Sequence, residues 1–282
     1  MNQERRSFLR NTLFSTGFIM LQKPIRSLAA VTENSIRLPG DNRELMIWHT
    51  NDLHGQASEL LPAADRHLLL DAGDFTDNEA GADAHIEMVR AMNRAGYHAA
   101  TIGNRELANG QAALAALIPH MQFALVNCNY RFSDKSLSSQ VLRYKIVYMG
   151  NLKVGITGVG PQLPAGSGVT CLPPVAAANA VAISLKKDHG CDVVICLSHL
   201  GYEQPGSIED NRTVAEASTH IDFVIGGHQK KILTSTVVLR NALGNEVYLS
   251  QAGWNGMMAG NMKMQFNEEK QGCGIQPGSV VA

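Results

Sequence analysis

LMIWHTNDLHG, residues 45–55, decides how the rest of the chain is read. An apolar run of strand length breaks at once into Thr50-Asn51-Asp52-Leu53-His54-Gly55, a turn rich in metal-ligand side chains. In open α/β sheets, functional groups gather just past the carboxyl ends of strands. Four later runs end in the same manner. HLLLDAG (67–73) leads into Asp71-Ala72-Gly73-Asp74, and HAATIG (98–103) into Gly103-Asn104-Arg105-Glu106. CDVVICLSHL (191–200) contains Ser198-His199-Leu200-Gly201, and IDFVIGGH (221–228) ends in Gly226-Gly227-His228-Gln229-Lys230. Asp oxygen, Asn oxygen and His nitrogen together suit Mn, Zn, Fe or a similar divalent ion. No cysteine belongs to the set, which argues against a structural zinc site. Each piece alone has an ordinary reading. Asp52-x-His54 reads as a solvated turn, Asp74 as a helix cap, His199 as a core histidine satisfied by a carbonyl, and Gly226-Gly227-His228 as a tight turn. Their joint placement at five strand ends points to one site.

Outward from these runs, strands alternate with helices. Ala84, Met88, Ala91, Met92 and Ala95 recur at helical spacing within 82–95, and 109–118 reads as a short helix. FALVN (123–127) is a strand, and 144–160 a strand pair around Gly150-Asn151. Residues 173–190 open on proline and stop at glycine, a punctuated helix. Residues 211–219 follow as a helix, STVVLR and EVYLSQ as a hairpin, and AGNMKMQF as a last strand. The pattern predicts a single mixed α/β domain over 31–282.

Of the 282 residues, 45% are apolar and 17% charged, a globular composition. The net charge of −1 lacks the basic excess of a nucleic-acid binder. No apolar run reaches the roughly 18–20 residues of a membrane-spanning helix. Residues 1–30 read separately. Arg5 and Arg6, an apolar stretch from Thr12 to Leu21, and small residues Ser27 and Ala29 come in the order of a twin-arginine export signal, which predicts a periplasmic or extracellular protein. The alternative is a basic amphipathic helix. Without this segment the chain carries −5. The five cysteines match no CxxC spacing, and no disulfide framework is expected.

These motifs resemble the calcineurin-like metallophosphoesterases, specifically the catalytic domain of the 5′-nucleotidase branch. The resemblance runs from about residue 45 to about 266. It rests on the Thr50–Gly55 turn, Asp71-Ala72-Gly73-Asp74, Ser198-His199-Leu200-Gly201, Ile225-Gly226-Gly227-His228 and Ser250-Gln251-Ala252-Gly253. It implies a four-layer α/β/β/α sandwich with two metals at the strand ends. Asp52, His54 and Asp74 would line a first site. Asp74, Asn104, His199 and His228 would line a second. The resemblance further implies a metal-activated hydroxide attacking phosphorus.

The chain departs from the family pattern at three positions. Arg105 stands where the family has a catalytic histidine, Ala108 where it has the orienting aspartate, and Lys230 where it has a ligand of the first metal. Arg105 is therefore expected to contact phosphate rather than to pass protons. The second metal site is expected to be firm and the first weakened by Lys230. Two function classes follow: an exported metal-dependent phosphoester hydrolase with a remodelled site, or a catalytically impaired pseudoenzyme that binds phosphate-like anions or a partner chain. A third reading keeps the polar residues as loop hydrogen bonds alone. The expected ligand is a small phosphate-bearing substrate or anion. The second, nucleoside-holding domain of complete 5′-nucleotidases is not expected within these residues; the expectation is that a separate chain supplies it or that the substrate is not a nucleotide. Trp48 reads as core; Trp254 reads as packing, with a site-facing role as the alternative.

Overall fold

The computed structural model describes residues 35–40, 43–62, 66–270 and 272–277. The twin-arginine segment at 1–30 lies outside the described residues.

Two sheets face each other. The six-stranded sheet is built on β2 (Glu44–Thr50), β3 (Leu68–Asp71), β4 (Ala99–Ala100) and β5 (Ala124–Leu125), all parallel neighbours. On the other side of β2, β14 (Gly260–Phe266) pairs antiparallel, followed by β15 (Gly272–Pro277). The seven-stranded sheet has β8 (Leu152–Val159), β10 (Val193–Ser198), β11 (Phe223–Gly226) and β13 (Glu246–Ser250) in parallel at its centre. Its edges are β12 (Val237–Arg240) beside β13, and β7 (Tyr144–Met149) then β1 (Ser35–Leu38) beside β8. A small antiparallel pair, β6 (Tyr130–Phe132) with β9 (Val169–Cys171), stands apart.

Strand alternation fixes which side chains meet. Leu45 and Ile47 of β2 join Leu68, Leu70, Val154, Ile156, Ile195, Leu197 and Phe223 in the layer between the sheets. Two further apolar layers lie outside. Helix α1 (Ala82–Ala95) buries His85, Met88, Val89 and Met92, one face at helical spacing, and covers the six-stranded sheet together with α2 (Gln111–Leu117). The face differs from the expected one: Ala84 is exposed and the stripe runs through His85 and Val89. The third helix, α3 (Lys135–Gln140), is a single short turn whose Leu137 joins the same layer. Helix α4 (Pro174–Lys187) buries Ala178, Val181, Ala182 and Leu185, and with α5 (Asn211–Ala217) covers the seven-stranded sheet. The result is the α/β/β/α sandwich.

The expected helices, hairpin and strand pair are all present; the helix over 82–95 keeps its full bounds and the others are trimmed by one to three residues. The elements not anticipated are β1, β6, β9, β15 and α3. Trp48 packs at the edge of the α1 layer. Cys128, Cys171, Cys191 and Cys196 are free thiols. Among the described residues no helix is long and apolar enough to cross a membrane.

Candidate metal centre

All six expected ligands sit at one end of the sandwich. Asp52 and His54 follow β2, Asp74 follows β3, Asn104 follows β4, His199 follows β10 and His228 follows β11. The loops after β2 and β3 continue the sheet's pairing. Asp52, His54 and Gly55 donate backbone N–H bonds of 2.9 Å to the carbonyls of Gly73, Asp74 and Phe75. Within this ribbon Asp52 (φ 52°), His54 (φ 48°) and Asp74 (φ 58°) are left-handed, and so is His228 (φ 80°) across the site. Non-glycine residues adopt that conformation sparingly, and such strain gathers at functional sites.

Asp52, His54 and Asp74 present ligand atoms that all lie within 4.8 Å of one another. Around them the supports are specific. Asn255 Oδ1 lies 2.8 Å from His54 Nδ1, which makes Nδ1 the protonated nitrogen and turns the Nε2 lone pair toward Asp52, 3.8 Å away. The Asn255 backbone N–H also donates to the Asp52 carbonyl at 2.8 Å. Asn51 Nδ2 donates to Asp52 Oδ2 at 2.8 Å, while its Oδ1 accepts the Ala252 N–H at 2.8 Å. Beneath the site, Glu106 accepts the backbone N–H groups of Asp74, Thr76 and Gly103 at 3.0, 3.0 and 2.8 Å, and the Thr76 hydroxyl at 3.1 Å. Asp71 also turns inward: it accepts from Thr50 Oγ1 at 2.6 Å and from the Gly73 N–H at 2.8 Å. It shapes the turn that presents Asp74 and does not itself face the site.

His199 carries the test of fit for a cation. It is fully buried, and Nδ1 lies 2.7 Å from the Ala72 carbonyl, an acceptor, so Nδ1 holds a proton. Nε2 has no hydrogen-bond partner although it is 3.2 Å from Asp74 Oδ2 and 3.9 Å from Asp52 Oδ1. In the neutral ring a lone pair thus faces two carboxylates, and only a positive charge between them reconciles the three. Without metal a proton fills that role. Burial alone would push His199 down, but Asp74, then Asp52 and Glu106, hold it up at about 10. Burial likewise opposes ionisation of Asp74, and His199 and Arg105 overcome it, bringing Asp74 down to about 2. A divalent ion fits this donor set of oxygens and imidazoles. Close approach matters here too: a Cβ on Gly103 would stand 2.2 Å from Asp74 Oδ1 and 2.8 Å from His199 Nε2.

The second expected set draws on both sheets. His228 Nδ1 is 3.1 Å from Asn104 Oδ1, its backbone N–H donates to Asp52 Oδ2 at 3.0 Å, and its ring meets the His199 ring edge-on with centroids 5.1 Å apart. Burial and the neighbouring His199 charge push His228 down.

Both substituted residues border the site. Arg105 donates its backbone N–H to Asp74 Oδ1 at 2.8 Å; its Nε is 3.5 Å from Asp74 Oδ2 and its Nη1 3.3 Å from Asp77 Oδ1. Lys230 is exposed and forms no ion pair with the trio. It stands over the Trp254 ring, 5.9 Å from the centroid. At that distance the ring face attracts the ammonium. Trp254 is half-buried, neither core nor free.

Comparison with known proteins finds relatives over most of the chain. The family model for calcineurin-like phosphoesterases matches residues 45–231. The snake venom 5′-nucleotidase of Gloydius brevicauda is 30% identical over 233 residues, covering 67% of this chain and 37% of that protein. The 5′-nucleotidase of Bos taurus is 24% identical, with 80% and 47% covered. The chain thus spans less than half the length of these relatives. The solved 5′-nucleotidase precursor from Thermus thermophilus superposes with a TM-score of 0.71 at 23% identity over 84% of this chain and 54% of that one, a likeness of fold.

Proposed function

The chain belongs to the calcineurin-like phosphoesterase family and is related to 5′-nucleotidases, and from that premise we propose that it is a divalent-metal-dependent hydrolase of small phosphate-bearing compounds. One observation carries the reading: Asp52, His54 and Asp74 present ligand atoms that all lie within 4.8 Å of one another, a donor set that suits a divalent ion. These three would hold a first ion, and Asp74, Asn104, His199 and His228 a second. Bound there, a divalent ion of the Mn, Zn or Fe class makes water a nucleophile at neutral pH and offsets charge on phosphate oxygens.

The chain's own residues supply the rest. Asn51 and Asn255 orient Asp52 and His54, so that the ligand atoms need no reorganisation. Glu106 clamps the loops after β3 and β4 and sets the distance between Asp74 and Asn104. Among the described residues, Arg105 has guanidinium N–H groups without a protein partner, and it meets a phosphoryl group arriving at Asp74. Export by the twin-arginine route, with a periplasmic or extracellular location, is part of the proposal and rests on Arg5, Arg6 and the apolar stretch after them.

Phosphate release from a panel of esters with Mn, Zn or Fe supplied tests the reading. Metal-dependent release is expected and falls to background in Asp74→Asn. A folded chain whose release equals that of the variant would instead be an anion- or partner-binding pseudoenzyme.

A further inference from the structure

Hydrolysis of a phosphate ester ends with an electron pair on the departing oxygen, and that oxygen needs either a proton or a compensating charge. Most of the titratable groups around Asp74 are already engaged. His54 Nδ1 is held by Asn255 and its Nε2 faces Asp52. His199 Nδ1 is held by the Ala72 carbonyl and its Nε2 faces Asp74. His228 Nδ1 lies against Asn104, its backbone N–H is on Asp52, and the hydrolase reading above assigns its ring to the second ion. Lys230 is turned to the Trp254 ring. Glu106 is buried and accepts from the loop backbone. The permanently charged side chain beside Asp74 is Arg105, which also pairs with Asp77. A guanidinium donates hydrogen bonds and brings full charge, but it keeps its protons.

We infer that Arg105 is a specificity-determining residue: it stabilises a departing anion without protonating it, and so restricts hydrolysis to phosphate esters and anhydrides whose leaving group is a weak base. The inference rests on the hydrolase reading above and names its substrate class. In the step, the oxygen of water forms a bond to phosphorus and gives its proton to solvent. The bond from phosphorus to the leaving oxygen breaks, and both electrons stay on that oxygen. Arg105 N–H groups then hydrogen-bond to it. A phenolate or a phosphate leaves readily on these terms, whereas an alkoxide does not.

The test uses the full chain supplied with manganese and a series of aryl and alkyl phosphates graded by the acidity of the leaving alcohol. We expect kcat/KM to fall by about 10²- to 10⁴-fold from the most acidic phenol to a simple alcohol, the range that a missing general acid accounts for. Arg105→His should flatten that dependence by raising the alkyl esters relative to the aryl ones. Arg105→Lys should keep it steep, and this variant serves if the histidine variant does not fold. Orthophosphate binding by calorimetry gives a readout free of turnover: Arg105→Ala should weaken it about tenfold or more. A flat dependence in the wild type, with release that Asp74→Asn abolishes, overturns this inference alone. Lack of release from even the most acidic ester overturns the hydrolase reading with it.

Discussion

The two prospective ion sites share Asp74 yet are built in different ways. Asp52, His54 and Asp74 hang from adjacent parallel strands of one sheet, and their loops stay hydrogen-bonded to each other beyond the strands. The second set takes Asp74 and Asn104 from the six-stranded sheet and His199 and His228 from the seven-stranded one. Its spacing depends on how the two sheets dock. The first set is thus held by hydrogen bonds within one sheet, whereas the second relies also on packing between two. Counting ligands misjudges a site when the supporting bonds differ.

Sheet docking can be weakened on its own, which should separate the two sites. His49 of β2 is fully buried between the sheets, and its Nε2 lies 2.9 Å from Ser250 Oγ of β13. Burial lowers it from 6.5 to about 4. A histidine with a depressed folded value contributes stability that is present above 6.5 and is lost as pH falls toward 4. That amounts to about 3 kcal/mol over the window. Denaturant unfolding from pH 7 to pH 4 should show the loss, and His49→Gln should remove that part of it. An equal pH dependence in the variant would deny His49 the role of pinning the sheets.

Glu106→Gln acts inside one sheet. It replaces an acceptor of three buried N–H groups by a group that can accept at only one oxygen, and should cost about 1–3 kcal/mol in unfolding experiments. It should also weaken both ion sites, since it loosens the shared Asp74. Unchanged stability would show that the clamp is dispensable.

Asn255→Gly is the finest probe. It keeps the left-handed backbone (φ 55°) and deletes the amide that orients His54. Affinity at the first site should drop about 10- to 100-fold with metal-free melting little changed. Unaltered affinity would mean that His54 needs no such support.

How much of this was legible in the sequence follows from range. The α1 helix carries its whole signal within 82–95 and stops where Gly96, in a left-handed conformation (φ 85°), donates back to Met92. The ligand types were legible because they sit at strand ends, next to apolar runs that mark themselves. The missed elements have little local signal. β1 is four residues of alternating exposure at a sheet edge, and β6 and β9 pair only with each other. Helix α3 is short and polar, though Asp134 capping the Leu137 N–H was a readable start. The supports were hidden by distance: Asn255 meets His54 across 201 positions. Glu106 was visible in its motif, but its role as a clamp exists only once three loops converge. The turn of Lys230 toward Trp254 likewise depends on two loops meeting.

The contrast between the two sites can be measured directly by titrating manganese into the wild-type chain, His54→Ala and His228→Ala in a calorimeter. If the trio on adjacent strands is the better-formed site, the tighter binding event survives His228→Ala and disappears in His54→Ala. Loss of the tighter event in His228→Ala, with its survival in His54→Ala, would place the firm site across the sheets and contradict the account.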